Sequence, residues 1–184
     1  SLVSEELGDL NFLHVEFQVD VHRTDHYTAS GSDEVEFLIS TNPGSIPPRP
    51  LGEVASGGEL SRIMLAIKSC MASEDNIGTL VFDEIDVGIS GRAAQKVAEK
   101  MAVISRSHQV ISITHLPQIA AMADSHYLIE KSADEGKTVT RIVRLNDEES
   151  TEEIARLLGG VTITEAVMSN AREMKQMAEK TKKY

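Results

Sequence analysis

Asp83 and Glu84 follow directly on the apolar run Leu80-Val81-Phe82, so two carboxylates stand where a short buried strand should end. In parallel α/β sheets ligands gather at the carboxyl ends of strands, and adjacent acids there can divide the work of holding a magnesium ion and orienting a water for phosphate chemistry. The pair also suits a helix-capping acid beside a solvated one. Upstream, Ala55-Ser56-Gly57-Gly58-Glu59-Leu60-Ser61 opens an amphipathic pattern. Glycines let another group approach the backbone closely, and a helix start turns free N–H groups and a positive dipole end outward, which makes an anion site. Ser56 and Glu59 equally read as a capping box with the glycines easing the turn. Downstream, His115 follows the apolar run Val110-Ile111-Ser112-Ile113-Thr114. A lone histidine at a strand end is most often a polar terminus without chemistry. If the strands before Asp83 and His115 are neighbours in one parallel sheet, all three side chains emerge at one edge, where a nucleotide phosphate fits. Ile85-Asp86-Val87-Gly88-Ile89-Ser90-Gly91 reads as a flexible turn whose Ser90 can cap the next helix.

Elements must place these residues, and the chain supplies them in a telling order. Residues 1 to 10 are polar and suit a helix, and alternating patterns over Phe12 to Val21 and Val35 to Ser40 suit strands with one buried face. The prolines of Asn42-Pro43-Gly44-Ser45-Ile46-Pro47-Pro48-Arg49-Pro50 forbid regular structure there. Helices are expected over Gly57 to Ala72, Gly91 to Ser105 and Gln118 to Ala123, with strands over Thr79 to Phe82 and Gln109 to Thr114 between them. Strands separated by helices are the mark of a parallel sheet with crossover connections. Tyr127 to Lys131 and Thr138 to Leu145 flank Ala133-Asp134-Glu135-Gly136 and read as an antiparallel hairpin at a sheet edge. Two helices close the chain, with capping-box starts at Ser150-Thr151-Glu152-Glu153 and Thr162-Ile163-Thr164-Glu165 and with Gly159-Gly160 ending the first.

Composition narrows the function classes. A chain of 184 residues that is 41% hydrophobic can bury one sizeable core. No run approaches the ~18 apolar residues of a membrane span. Ser1-Leu2-Val3-Ser4-Glu5-Glu6 has neither the basic start nor the apolar stretch of an export signal, which reads as cytoplasmic. Cys70, the single cysteine, lies in an apolar helical pattern and reads as a small buried hydrophobe, with no disulfide framework or zinc site. A net charge of −11 repels a polyanion, so this segment is not expected to bind DNA directly. The cations toward the end of the last helix, Arg172, Lys175, Lys180, Lys182 and Lys183, complement the helix dipole.

Ser-Gly-Gly-Glu before a helix, a strand ending in Asp-Glu, and Thr-His after the next strand resemble, in that order, the C-terminal half of an ABC-type ATPase domain. The wording is closer still to the RecN family, in the SMC-like branch: Val54-Ala55-Ser56-Gly57-Gly58-Glu59-Leu60-Ser61-Arg62, Phe82-Asp83-Glu84-Ile85-Asp86-Val87-Gly88-Ile89-Ser90-Gly91 and Thr114-His115-Leu116-Pro117-Gln118. Asn42-Pro43-Gly44 and Ala155-Arg156-Leu157-Leu158-Gly159-Gly160 are similar too, so the resemblance spans most of the chain. It implies an α/β fold, half of an ATPase head with parallel strands, crossover helices and an edge hairpin. It also implies that Ser56, Gly57, Gly58 and Glu59 bind in trans the γ-phosphate of ATP held by a second head. Asp83 would hold Mg2+ through water, Glu84 would polarise the attacking water, and His115 would contact the γ-phosphate. Asp86, Gly88 and Ser90 would lie in a loop crossing the dimer seam. The full protein would be an ATPase of double-strand-break repair and recombination, cytoplasmic at the nucleoid, acting on DNA with no membrane partner.

The phosphate-binding loop G-x-x-x-x-G-K-[ST] is missing from this sequence. Gly136-Lys137-Thr138 has Lys131 where the first glycine belongs and falls in the expected hairpin. In RecN-like proteins that loop lies in the N-terminal half of the head, across a coiled coil. Residues 1 to 10 are therefore expected to be the stump of the returning arm and 11 to 184 the C-terminal lobe, inactive alone. Half of an ABC transporter nucleotide-binding domain shares the Ser-Gly-Gly and Asp-Glu logic, but the Asp-Val-Gly-Ile-Ser-Gly wording and the final helices stand against it. A non-hydrolysing dimerisation module would have no need of Glu84.

Overall fold

The computed structural model describes residues 2–12, 14–29, 31–42, 44–54, 57–71, 77–134 and 137–183. In chain order the elements are α1 (Leu2–Asp9), β1 (Glu16–Thr28), β2 (Gly31–Ser40), β3 (Arg49–Pro50), α2 (Leu51–Val54), α3 (Gly57–Met71), β4 (Thr79–Phe82), α4 (Gly91–Ile104), β5 (Gln109–Ser112), α5 (Pro117–Ala121), β6 (Tyr127–Asp134), β7 (Lys137–Arg144), α6 (Asp147–Gly159) and α7 (Glu165–Lys182). The chain divides into two compact units, Ser1–Ile89 with Ile104–Ile113, and Ser90–Val103 with Thr114–Tyr184.

In the first unit α1 packs against α3. α1 stops where Asn11 turns left-handed at φ 73°, and the Phe12 N–H reaches back to the Leu7 carbonyl at 3.1 Å. Leu7, Leu10 and Phe12 are thereby buried. Phe12 thus belongs to this turn, and β1 begins only at Glu16, later than its sequence pattern suggests. β1 and β2 pair antiparallel with Phe17 opposite Ile39 and Val21 opposite Val35, and the ladder runs on through polar pairs such as His22 and Glu34. Arg49 and Pro50 extend this sheet beside Ile39 and Leu38, a departure from the expected irregular loop. A proline is tolerated there because an edge strand leaves its missing N–H facing outward.

β4 and β5 are parallel neighbours, with Leu80 opposite Val110, Val81 opposite Ile111 and Phe82 opposite Ser112. The pairing condition on the Asp83 and His115 strands is therefore met. β5 is shorter than expected, ending at Ser112, although the Ile113 N–H still donates to the Phe82 carbonyl at 3.1 Å. Leu80 and Phe82 are buried, whereas Val81, Ile111 and Ile113, at 64%, 46% and 51% exposure, leave the other side bare. Parallel sheets are ordinarily covered on both faces. Cys70, near the end of α3, is partly exposed rather than fully buried.

In the second unit Ala120, Ala121, Ile154, Ala155 and Ala171 form a core shared by α5, α6 and α7. The first closing helix starts earlier than Ser150. Asn146 caps it by accepting from the Glu149 N–H at 3.0 Å, while the Glu149 carboxylate accepts from the Asn146 N–H at 2.8 Å. Ser150 is instead buried inside the helix, with its hydroxyl 3.0 Å from His126 Nδ1. Gly160 ends α6 at φ 70°, as its position suggested, and Thr164 caps α7 two residues later than expected. Two of the basic residues of α7 are engaged in ion pairs, Lys175 with Asp147 at 2.6 Å and Lys182 with Asp124 at 3.0 Å. β6 and β7 form a two-stranded sheet of their own, in which Thr138 pairs with Ala133. Lys137 and Thr138 therefore lie in a strand, whereas a phosphate-binding loop has these residues opening a helix.

Candidate functional site

The first turn of α3 is pressed onto the segment that leaves β4. Ser61 donates its hydroxyl to the Asp83 carbonyl at 2.9 Å. From the next residue, the Arg62 guanidinium donates through Nη1 to the Val87 carbonyl at 2.8 Å and approaches the Ile85 carbonyl at 3.4 Å. Arg62 is 7% exposed and sits over the Phe12 ring, 5.5 Å from its centroid. Burial pulls its pKa below the usual arginine value and Glu59 offsets part of that. An arginine nevertheless stays charged in a protein.

Gly58 is required by this contact, and Gly57 borders it. A Cβ built on Gly58 would lie 2.8 Å from the Glu84 carbonyl oxygen and 3.0 Å from Val87 Cβ. One on Gly57 would meet the Glu84 carboxylate, 2.6 Å from Oε2. Beyond the approach of an anion expected of them, these glycines let the chain approach itself.

Asp83 and Glu84 are both exposed just beyond β4. Glu84 adopts a left-handed backbone at φ 58°. For a residue with a side chain that conformation costs on the order of 1–3 kcal/mol, and such strain clusters at functional sites. The turn that follows is closed by the Val87 N–H on the Glu84 carbonyl at 3.1 Å and the Ile89 N–H on the Asp86 carbonyl at 3.4 Å. Asp86 is 3% exposed, and Gly88 at φ 76° turns the chain where a side chain would be strained. Glu59 lies in the first turn of α3, and Ser56 falls outside the described residues.

Two of the expected site residues belong to the other unit. Ser90 stands before α4, its carbonyl accepting from the Ala93 N–H at 3.2 Å. His115 is exposed in the stretch between β5 and α5, where the Thr114 hydroxyl accepts from the Leu116 N–H at 3.0 Å. The structure thus brings together Gly57, Gly58, Asp83, Glu84 and Asp86 within one unit, and describes Ser90 and His115 separately.

The residues to which no role was given on sequence grounds are Ser61 and Arg62. A signal was present for Arg62: with Gly58, Leu65 and Ala66 it occupies one stripe of the helix at the spacing of three and four, and that stripe is buried. An arginine on a buried stripe needs acceptors.

The acid pair is chemically suited to a hydrated magnesium ion. Magnesium takes one or two carboxylates, keeps several waters and completes its shell with substrate phosphates. Two exposed acids beyond a parallel strand meet that need.

Comparison with known proteins gives the relationship. No family model matches the chain. It is 45% identical over 184 residues to the DNA repair protein RecN of Halalkalibacterium halodurans, covering 98% of this chain and 32% of the relative. It is 48% identical over 155 residues to RecN of Bacillus subtilis, covering 84% and 27%, and 41% identical over 174 residues to RecN of Vibrio cholerae, covering 94% and 31%. The chain thus spans 27–32% of the length of these relatives. Among solved structures it resembles the Smc head domain with a coiled coil and joint from Pyrococcus yayanosii, with a TM-score of 0.58 at 24% identity over 83% of this chain and 28% of that one. It also resembles an Smc head bound to the C-winged helix domain of ScpA, with a TM-score of 0.52 at 25% identity over 82% and 43%. The chain is a segment of the RecN family, with the fold of part of an Smc head domain.

Proposed function

We propose that this segment supplies the acid pair and the trans-acting helix start of an ATP-hydrolysing head in a DNA-repair protein, two heads closing on ATP and reopening on hydrolysis. The observation that carries the reading is the contact between Gly57-Gly58-Ser61-Arg62 and Asp83–Val87, which joins the family's two characteristic motifs into one unit. Asp83 would hold the metal through water, and Glu84 would take the proton of the attacking water as its oxygen bonds to the γ-phosphorus and the bond from that phosphorus to the β–γ bridging oxygen breaks, releasing ADP. Bound Mg-ATP supplies the phosphoryl group and much of the charge neutralisation. Ser56 and the N–H groups at the start of α3 receive the γ-phosphate of the facing head, where a helix start suits an anion. His115 contacts the γ-phosphate of its own head, and the loop of Asp86, Gly88 and Ser90 crosses the seam, with Asp86 buried in it. DNA is bound elsewhere in the full protein, since Lys175 and Lys182 are already committed to carboxylates and the net charge of this segment is −11.

The bare side of β4 and β5, with Val81, Ile111 and Ile113, supports the expectation that an N-terminal half carrying the phosphate-binding loop covers this unit. That loop is the main source of nucleotide affinity in such sites, through its backbone N–H cradle and lysine. The chain alone is therefore expected to hydrolyse no ATP and to bind Mg-ATP with Kd no tighter than ~1 mM, about −4 kcal/mol. Calorimetry on the chain measures this directly. Micromolar binding would mean that the nucleotide site lies elsewhere in this sequence.

A further inference from the structure

Arg62 occupies a position where an amphipathic helix ordinarily carries an aliphatic residue, between Gly58 and Leu65-Ala66 on the buried stripe of α3. Replacing a buried charge by a well-packed apolar residue is often neutral or stabilising, so stability alone is a weak reason for an arginine there. Its Nε is buried without a hydrogen-bond partner among the described residues, so the site is not tuned for full satisfaction of the guanidinium either. What the side chain does achieve is specific: one Nη1 reaches two carbonyls, Val87 at 2.8 Å and Ile85 at 3.4 Å. Those carbonyls flank Asp86, in a turn that contains left-handed residues at Glu84 and Gly88 and is closed internally by N–H bonds of 3.1 and 3.4 Å. Phe12, beneath the guanidinium at 5.5 Å, limits its swing.

We infer that Arg62 is a positioning residue which locks the acid-bearing loop 83–88 to the start of α3, so that the part of a head that touches the partner's nucleotide and the part that activates water on its own nucleotide move as one body. This rests on the reading of Gly57-Gly58 as trans-acting and Glu84 as the water-activating group. The lock explains how closure could be sensed: a partner's γ-phosphate seated on the first turn of α3 shifts that turn, and Arg62 carries the shift to the backbone on either side of Asp86. A lysine at this position keeps the charge and the apolar stem but offers a compact ammonium in place of a planar fork.

The test uses the full-length protein with Arg62→Lys and Arg62→Met, read by hydrogen exchange of the loop amides, Mg-ATP binding and turnover. The inference expects faster exchange at the Val87 and Ile89 amides in Arg62→Lys, with Ile113 unchanged. Mg-ATP affinity should be parental, with kcat lower by ~10- to ~10²-fold, the range that a misplacement of about an ångström can cost. Arg62→Met should show the same pattern more strongly; if it fails to fold, Arg62→Lys alone decides. Parental exchange and parental kcat in Arg62→Lys would overturn the inference. So would a loss of affinity matching the loss of kcat, which marks a binding role. If the parental protein itself shows no ATP-dependent closure or turnover, it is the functional reading that fails, and the exchange at Val87 and Ile89 still decides whether Arg62 holds the loop.

Discussion

Glu84→Gln in the full-length protein is expected to lower ATP turnover by at least ~10²-fold, the lower end of what a general base contributes, while closed, ATP-bound pairs of heads accumulate. The substitution keeps the size and hydrogen bonding of the side chain and removes only its capacity to take a proton. It also leaves the backbone carbonyl of residue 84 in place, which the Val87 N–H needs at 3.1 Å. The left-handed φ of 58° does not argue against the variant, because an amide side chain meets the same strain as a carboxylate. Asp83→Asn should behave differently, weakening Mg2+-dependent nucleotide binding itself. Turnover assays with and without Mg2+, together with crosslinking of closed heads, separate the roles. Parental turnover in Glu84→Gln would remove Glu84 as the base.

Gly58→Ala is expected to be nearly as damaging, for a reason visible only in three dimensions. The added methyl would sit 2.8 Å from the Glu84 carbonyl oxygen and 3.0 Å from Val87 Cβ, both on a backbone-defined surface with little room to move. Overpacking of this kind typically costs ~1–3 kcal/mol, and relief requires α3 and the acid loop to part. Turnover should fall by ~10²-fold, the effect that a displacement of about an ångström can have on a reacting geometry. Gly57→Ala provides the contrast, since its methyl would meet only the Glu84 carboxylate tip, 2.6 Å away but free to rotate. Thermal unfolding should therefore separate the two variants, with Gly58→Ala the less stable. Equal stability of Gly58→Ala and the parent, with equal turnover, would show that the close packing of α3 on Glu84 is not maintained in solution.

The elements that carry chemistry were legible because their signals are local. Thr79–Phe82 is an apolar run stopped by two acids, and the alternation and turn residues around it leave little choice of strand. The parallel pairing of β4 with β5 followed from a helix lying between two apolar runs. Boundaries set by competition between neighbouring signals were not legible. Ser150 to Glu153 has a capping pattern, but Asn146 to Glu149 has one as well, and the earlier box wins because it lets Ser150 and Thr151 be buried within α6. Phe12 fits a strand pattern until α1 and its left-handed Asn11 claim it. Beyond boundaries, contacts remote in sequence were out of reach. That Gly58 must be glycine because of the Glu84 carbonyl, and that Arg62 answers to the carbonyls of Ile85 and Val87, depends on how α3 folds back on the loop after β4.

The central claim is that one head contributes Glu84 to its own nucleotide and Ser56 to its partner's, and mixing two defective full-length proteins tests it most directly. Ser56→Ala removes a hydroxyl that would meet charge developing on the partner's phosphate, where loss of a single donor costs ~10²-fold or more. Glu84→Gln disables the nucleotide on its own head. In a two-fold pair made of one of each, both defects fall on the same nucleotide and the other site is intact, so the equimolar mixture should recover roughly a quarter of parental turnover. Recovery to that level, rising with total protein concentration, is the predicted result. If the mixture is no more active than the mean of the two variants alone, Ser56 and Glu84 serve the same nucleotide within one head, and the composite arrangement is wrong.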